Sequence, residues 1–247
     1  MNKRQRLHLL DALRGLTLIS MIGFHGMWNL VYLFGMEAPW YRGMPGYIWQ
    51  QSICWTFILL SGFCWCFSRN HLKRGLLVFG GGAVVSLVTC LLMPENRILF
   101  GVLTCIGSCM ILMIPLEKLL KKLPSGLGLA GSFGMFFLLR NCYSGTLGFE
   151  RLVICDLPAS FYRNHLTAYL GFPQPGFFST DYFPLLPWIF LFIAGYFLQR
   201  VLAERELNEK LFAKGRIPLI NWIGRHSLII YLLHQPVLYG LGILIFG

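Results

Sequence analysis

Residues 7–33 read LHLLDALRGLTLISMIGFHGMWNLVYL. This run is longer than the roughly 20 apolar residues that carry a helix across a bilayer, yet it holds Asp11, Arg14 and His25. An ionisable side chain in hydrocarbon costs several kcal/mol, about 2.5 to 3.5 on insertion scales. The three groups are therefore expected to face inward, toward a polar site.

The rest of the chain extends this reading. Of 247 residues, 56% are hydrophobic, and the mean hydropathy of +0.62 comes from long apolar runs separated by short charged ones, the pattern of a polytopic helical membrane protein. The expected fold is all-α, one integral membrane domain over residues 1–247. About seven transmembrane helices (six to eight) are expected near 9–34, 47–67, 75–93, 98–116, 125–141, 183–200 and 219–246. The glycine-rich fifth is the weakest, and the start of the seventh can lie along the interface. The basic segment Met1–Arg6 leads into a span too long for a signal-peptide core, with no small-residue cleavage site after it, so a retained helix is expected.

The chain has 21 Lys and Arg against 10 Asp and Glu, a formal charge of +11. The cations cluster beside apolar spans, which is the signature of membrane orientation and argues against a nucleic-acid partner. Four fall at the N-terminus and the start of the first helix, three in 69–74, three in 118–122 and five in 200–216. The positive-inside rule then puts the N-terminus in the cytoplasm and, with seven spans, the C-terminus outside. Residues 142–182 become an external loop before the sixth helix, either capping a site or packed over helix ends. Six of the eight cysteines lie in apolar runs without metal-site spacing, so no metal is expected. Cys142 and Cys155, in the long loop, can form a disulfide in an oxidising compartment.

Three constellations carry potential chemistry. Asp11 and Arg14, three apart on a helix, can pair, as a binding element or as an interface anchor. His25 lies about 21 Å further along the helix, with Trp28 one turn on. Its imidazole suits a general base, and equally a hydrogen bond between helices. Glu37, followed by Ala38, Pro39 and Trp40, can orient His25 or sit solvated in a loop. The second constellation runs from Asp181 and Tyr182 to Trp188, with Asp181 placed as a helix N-cap. The third is Gly224, Arg225 and His226, followed by Tyr231, His234, Gln235 and Pro236, where His234 is a second buried imidazole or a packing residue.

In order and spacing these segments resemble the heparan-α-glucosaminide N-acetyltransferase family, within the wider group of transmembrane acyltransferases that includes the acyltransferase-3 proteins. The resemblance rests on Arg6, Asp11, Arg14 and Gly15, then His25 and Trp28, Phe100–Gly107, Asp181–Trp188 and Gly224–Pro236. It covers nearly the whole chain and is closest to the short bacterial branch. It implies an acetyl-CoA-dependent enzyme of the bacterial cytoplasmic membrane that passes an acetyl group across the bilayer to a sugar amine or hydroxyl. Membrane lipids and a glycan acceptor are the implied partners, and a homodimer is an open assembly. Three positions depart from the family pattern. Glu37-Ala38-Pro39-Trp40 stands where lysosomal members have His-Ala-Pro-Trp, His25 where they have Asn, and Thr104 where short relatives tend to have His.

On this resemblance His25 and Glu37 are the expected catalytic residues, and Arg6, Asp11, Arg14, Arg225 and His226 the acetyl-CoA-binding set. Trp28, Trp40, Asp181, Tyr182, Trp188, His234 and Gln235 are the expected substrate contacts. The alternatives are a transporter or flippase for a small molecule or lipid-linked sugar, whose polar residues relay protons, and a membrane scaffold without catalysis.

Overall fold

The computed structural model describes residues 7–207 and 217–246, and the expected site residue Arg6 lies outside them. Each of the seven expected hydrophobic segments contains helix. The helices are α1 His8–Trp28, α2 Pro39–Arg42, α3 Met44–Phe63, α4 His71–Leu92, α5 Val102–Leu120 and α6 Ser125–Leu138, then α7 His165–Leu170, α8 Leu185–Glu204, α9 Pro218–Arg225 and α10 Ser227–Phe246. Five are long and apolar enough to cross a membrane: α1 with its extension to Leu33, α4, α5, α8 and α10. Of the other two segments, α3 has the length of a span, whereas α6 has 14 residues and rises only about 21 Å. The seventh segment is broken at His226, which leaves α9 as a short amphipathic helix before α10.

The chain divides into two compact units, one of residues 1–57 with 202–247 and one of residues 58–201. In the first, α1 is the organiser. Gly224 of α9 lies against the Asp11 carbonyl and the Gly15 nitrogen, and Gly15 lies against the Ile220 carbonyl. A Cβ at either glycine would overlap backbone, so these positions permit a helix crossing that larger residues forbid. Because 11 meets 224 while 15 meets 220, α9 runs antiparallel to α1. The sequence then reverses. His25 faces His234, Gly26 lies near Leu238, and Phe34 packs on Gly242 and Phe246, so α10 runs in the same direction as α1. On another side of α1, Trp49 of α3 donates to Ser20 Oγ at 2.8 Å and Tyr41 of α2 donates to the Phe24 carbonyl at 3.0 Å.

The second unit packs by the same device. Gly75 and Gly82 of α4 lie on α5 while Gly107 of α5 lies on Phe79; Gly62 meets Phe192, and Gly195 meets Leu59. The aromatic core between these helices includes Trp65, Phe136, Phe192, Tyr196 and Phe197. The long segment before α8 contains structure that the apolar pattern did not announce: strands β1 Thr146–Phe149 and β2 Leu152–Asp156 form an antiparallel hairpin, and α7 follows. Cys142 and Cys155 are free thiols there, the first buried and the second exposed. Burial holds the Cys142 thiol high, at about 12, against the downward pull of the Arg140 guanidinium.

On α4 and α10 large aliphatic side chains such as Leu87, Leu91, Leu92, Leu233, Leu241 and Leu244 are exposed. Helices apolar on their outer face, whose backbone groups bond largely within the helix, suit contact with lipid.

The crossing predicts a contrast between glycines. Gly224→Val should destabilise the protein by about 1–3 kcal/mol through overpacking, read as a lower melting temperature in detergent. Gly131→Ala, at a position with nothing near its Cβ, should be neutral or stabilising by up to about 1 kcal/mol.

Candidate active site

Along α1 of the first unit there are two polar stations. At the start of the helix Arg14 pairs with Asp11 at 3.4 Å, the expected interaction three residues apart. The glycine crossing brings α9 to the same end. There Asn221, 2% exposed, donates from Nδ2 to the His8 carbonyl and accepts the Ile217 N–H on Oδ1 at 2.6 Å. Arg225 donates to the Asn221 carbonyl at 3.1 Å, and the His226 ring bonds the Trp222 carbonyl at 2.9 Å. Arg225 and His226 are exposed, so this end of the unit presents cationic and protonatable groups to the exterior.

The second station is the imidazole pair. The His25 and His234 ring centroids lie 4.9 Å apart with planes inclined at 54°. His234 is 8% exposed, and its Nδ1 lies against the Tyr231 carbonyl. A carbonyl only accepts, so Nδ1 carries the hydrogen and Nε2 the lone pair in the neutral ring. That Nε2 is buried and has no hydrogen-bond partner among the described residues. Packing alone leaves this atom unsatisfied, a condition that native interiors tolerate rarely. Gln235 adds a second such atom, its Oε1. Pro236 lies within α10 and removes one backbone N–H from the helix ladder at this level.

The remaining expected residues are distributed as follows. Trp28 is half-buried and its ring lies 5.4 Å from that of Tyr32. Trp40 is exposed and stacks on Trp49 at 6.2 Å. Glu37 is exposed in the loop after Leu33, and among the described residues it makes no hydrogen bond or ion pair with His25. The loop leaves the helix beyond a five-residue π turn, Asn29–Leu33.

Asp181, Tyr182 and Trp188 belong to the second unit. Asp181 does not cap its own following helix. Its Oδ2 accepts the Val102 N–H at 3.2 Å, so it caps α5, and bare Gly101 leaves room for it. Around it, Thr180 donates to the Arg97 carbonyl and Phe183 to the Phe100 carbonyl, while Ser179 Oγ bonds both Leu99 N and O at 2.9 Å. Phe100 takes a left-handed φ of 57°, a conformation that costs a bulky residue energy. Two of the sequence segments singled out above, Phe100–Gly107 and Asp181–Trp188, are thus laced together. Tyr182 donates to the Ala168 carbonyl at 2.6 Å. Trp188 is core, against Phe136 and Phe183, with the Arg140 guanidinium 5.0 Å from its ring.

A model of the catalytic domain of heparan-alpha-glucosaminide N-acetyltransferases matches residues 6–236. The chain belongs to this family. Searches of curated proteins and of solved structures return no match. Family membership, together with helices of spanning length and apolarity, makes this an integral membrane protein with a transmembrane N-acetyltransferase kind of function. The match takes in both polar stations of α1. Among the described residues no group of three or more His, Cys, Asp or Glu side chains could hold a metal ion.

Two residues, one at each station, were not singled out in the sequence. Asn29, one turn past His25, is a neutral amide in an apolar run and escapes a search for ionisable groups. Asn221 falls in α9, where alternation of polar and apolar residues reads as an ordinary amphipathic turn.

Burial pushes the Asp181 carboxyl up to about 6, against the downward pull of the Val102 N–H. A carboxyl raised from an unfolded value of 3.8 favours the fold while protonated. Its contribution is complete below about pH 4 and is lost as pH rises through about 6. Asp181→Asn, which keeps an acceptor for Val102, should flatten the pH dependence of thermal stability in that window. Asp181→Ala should lower stability by about 0.5–2 kcal/mol near pH 4, the cost of a lost helix cap, and by less at neutral pH.

Proposed function

We propose that this family member takes an acetyl group from acetyl-CoA at the cytoplasmic end of α1 and delivers it, at the His25–His234 pair, to an amine or hydroxyl of a sugar. The observation that carries this reading is the buried Nε2 of His234 beside the His25 ring, a lone pair with no hydrogen-bond donor among the described residues. The cationic end fits the phosphates of CoA in residue type, with Arg14 and Arg225 as the charges and His226 beside them. The two stations lie about 21 Å apart along α1, which is comparable with the reach of an extended pantetheine arm.

The chemistry asked of the chain is modest. The acceptor must lose a proton as it attacks the thioester carbon, and a neutral imidazole with a free ring nitrogen is a base that can take it. The Tyr231 carbonyl fixes which nitrogen of His234 is free to do so. His25 supplies the second ring, as a proton partner or as a transient acetyl carrier. This reading needs no part from exposed Glu37.

Orientation follows from the same unit. The cation distribution supports a cytoplasmic N-terminus, and the common direction of α1 and α10, if both cross, supports an odd number of crossings and an external C-terminus. A bacterial cytoplasmic membrane fits the resemblance to the short branch.

Two variants and their combination test the pair. His25→Ala and His234→Ala should each lower acetyl transfer from acetyl-CoA by about 10²–10⁴-fold, the range for a lost general base. The double variant should be little worse than either alone, because groups acting as one unit are not additive. Transfer should also decline as pH falls and the imidazoles are protonated. Folded single variants with undiminished transfer would reject the site.

A further inference from the structure

Asn29 lies one helical turn beyond His25, where α1 passes into the π turn Asn29–Leu33. Single π turns within helices recur at functional sites. Asn29 is 3% exposed, and its Nδ2 is buried with no hydrogen-bond partner among the described residues. The same holds for Gln235 Oε1 and His234 Nε2. Three unsatisfied groups, one donor and two acceptors, therefore come from two short stretches, 25–29 and 234–235, of helices that touch at His25–His234 and at Gly26–Leu238. Each would be costly to leave unpaired in the functioning protein.

The set carries no formal charge, and neither do its surroundings. No Asp, Glu, Lys or Arg occurs in residues 15–33 or 227–246. Such a site suits groups that enter uncharged, a thioester and a free amine or hydroxyl. Negative charge develops on the carbonyl oxygen as the acceptor adds to it, balanced by the imidazolium formed as the proton is taken up. A donor held in place for that oxygen, away from water, is the arrangement that stabilises acyl-transfer intermediates.

Building on the acetyl-transfer reading above, we propose that Asn29 is a catalytic residue whose Nδ2 donates to the thioester carbonyl oxygen while His234 Nε2 receives the acceptor's proton. In the step, the acceptor nitrogen or oxygen forms a bond to the acetyl carbon and the carbon–sulfur bond breaks. The proton passes from the acceptor to His234 and then to the departing CoA thiolate, giving the acetylated acceptor and CoA thiol. Gln235 Oε1 accepts a hydrogen from the incoming acceptor and orients it.

The experiment uses the full chain in lipid nanodiscs with [1-13C]acetyl-CoA and difference infrared spectroscopy, which needs no acceptor. In the wild type the bound carbonyl stretch should fall below its frequency in buffer, and in Asn29→Leu, or Asn29→Ala should the leucine variant not fold, it should return toward the buffer value. With glucosamine as acceptor probe, the same variants should lose about 10²–10³-fold in kcat with KM for acetyl-CoA little changed. A wild-type frequency equal to that in buffer, or one that the variants do not move, overturns the role of Asn29 and leaves acetyl-CoA use standing. The latter result is also expected if Asn29 and Gln235 merely bond each other. A wild type that binds no acetyl-CoA overturns both.

Discussion

The close crossing of α1 and α9 at Gly15 and Gly224 is the contact from which the first unit is built. In an apolar medium helices gain little from burying aliphatic surface against one another, since lipid is as apolar as leucine. What holds them is dense packing and hydrogen bonding, and both need backbones that approach closely. Here each glycine receives a carbonyl or backbone nitrogen of its partner. That approach lets Asn221 reach the His8 carbonyl. It also sets the point from which the chain turns at His226 and continues as α10 beside α1. Without it, His234 would have no reason to arrive at the level of His25.

The second unit solves a different problem. Its segments 97–102 and 179–183 are irregular backbone, which must find partners for every amide and carbonyl that a helix would have satisfied internally. They do so by bonding each other, with Ser179 and Asp181 filling positions where main chain cannot reach. Arg140 is likewise accommodated, 3.7 Å from Glu150 and over the face of Trp188. A buried guanidinium placed between a carboxylate and an aromatic ring has both its charge and its flat face used.

Much of the architecture was legible from hydropathy, because length and apolarity are what a bilayer selects. The ionisable residues inside the first run were equally legible, and the pairing of Asp11 with Arg14 follows from helix periodicity alone. The family could be read from motif order, and the model match covers the same span. Two kinds of feature were not legible. One is any contact between distant helices, such as His25 with His234, 209 residues apart in number, which no local pattern encodes. The other is a role that depends on neighbours. Asp181 has the sequence position of an N-cap for α8, and it caps α5 instead, because Gly101 and strained Phe100 bring that helix start within its reach. The hairpin in 146–156 was hidden for a similar reason: its short strands lie in a stretch where aromatics, proline and glycine obscure alternation.

The parallel run of α1 and α10 has a consequence for how the protein is made. The ribosome releases α1 early, and it must wait beside the translocon while the whole second unit is synthesised and inserted. Until α10 emerges, the Asp11 and His25 levels of α1 lack the neighbours that shelter them, and the helix is a marginal tenant of the bilayer. At a few to some twenty residues per second, that interval is on the order of ten seconds or more. Quality control during biogenesis would therefore bear hardest on this first helix, well before any acetyl group is moved.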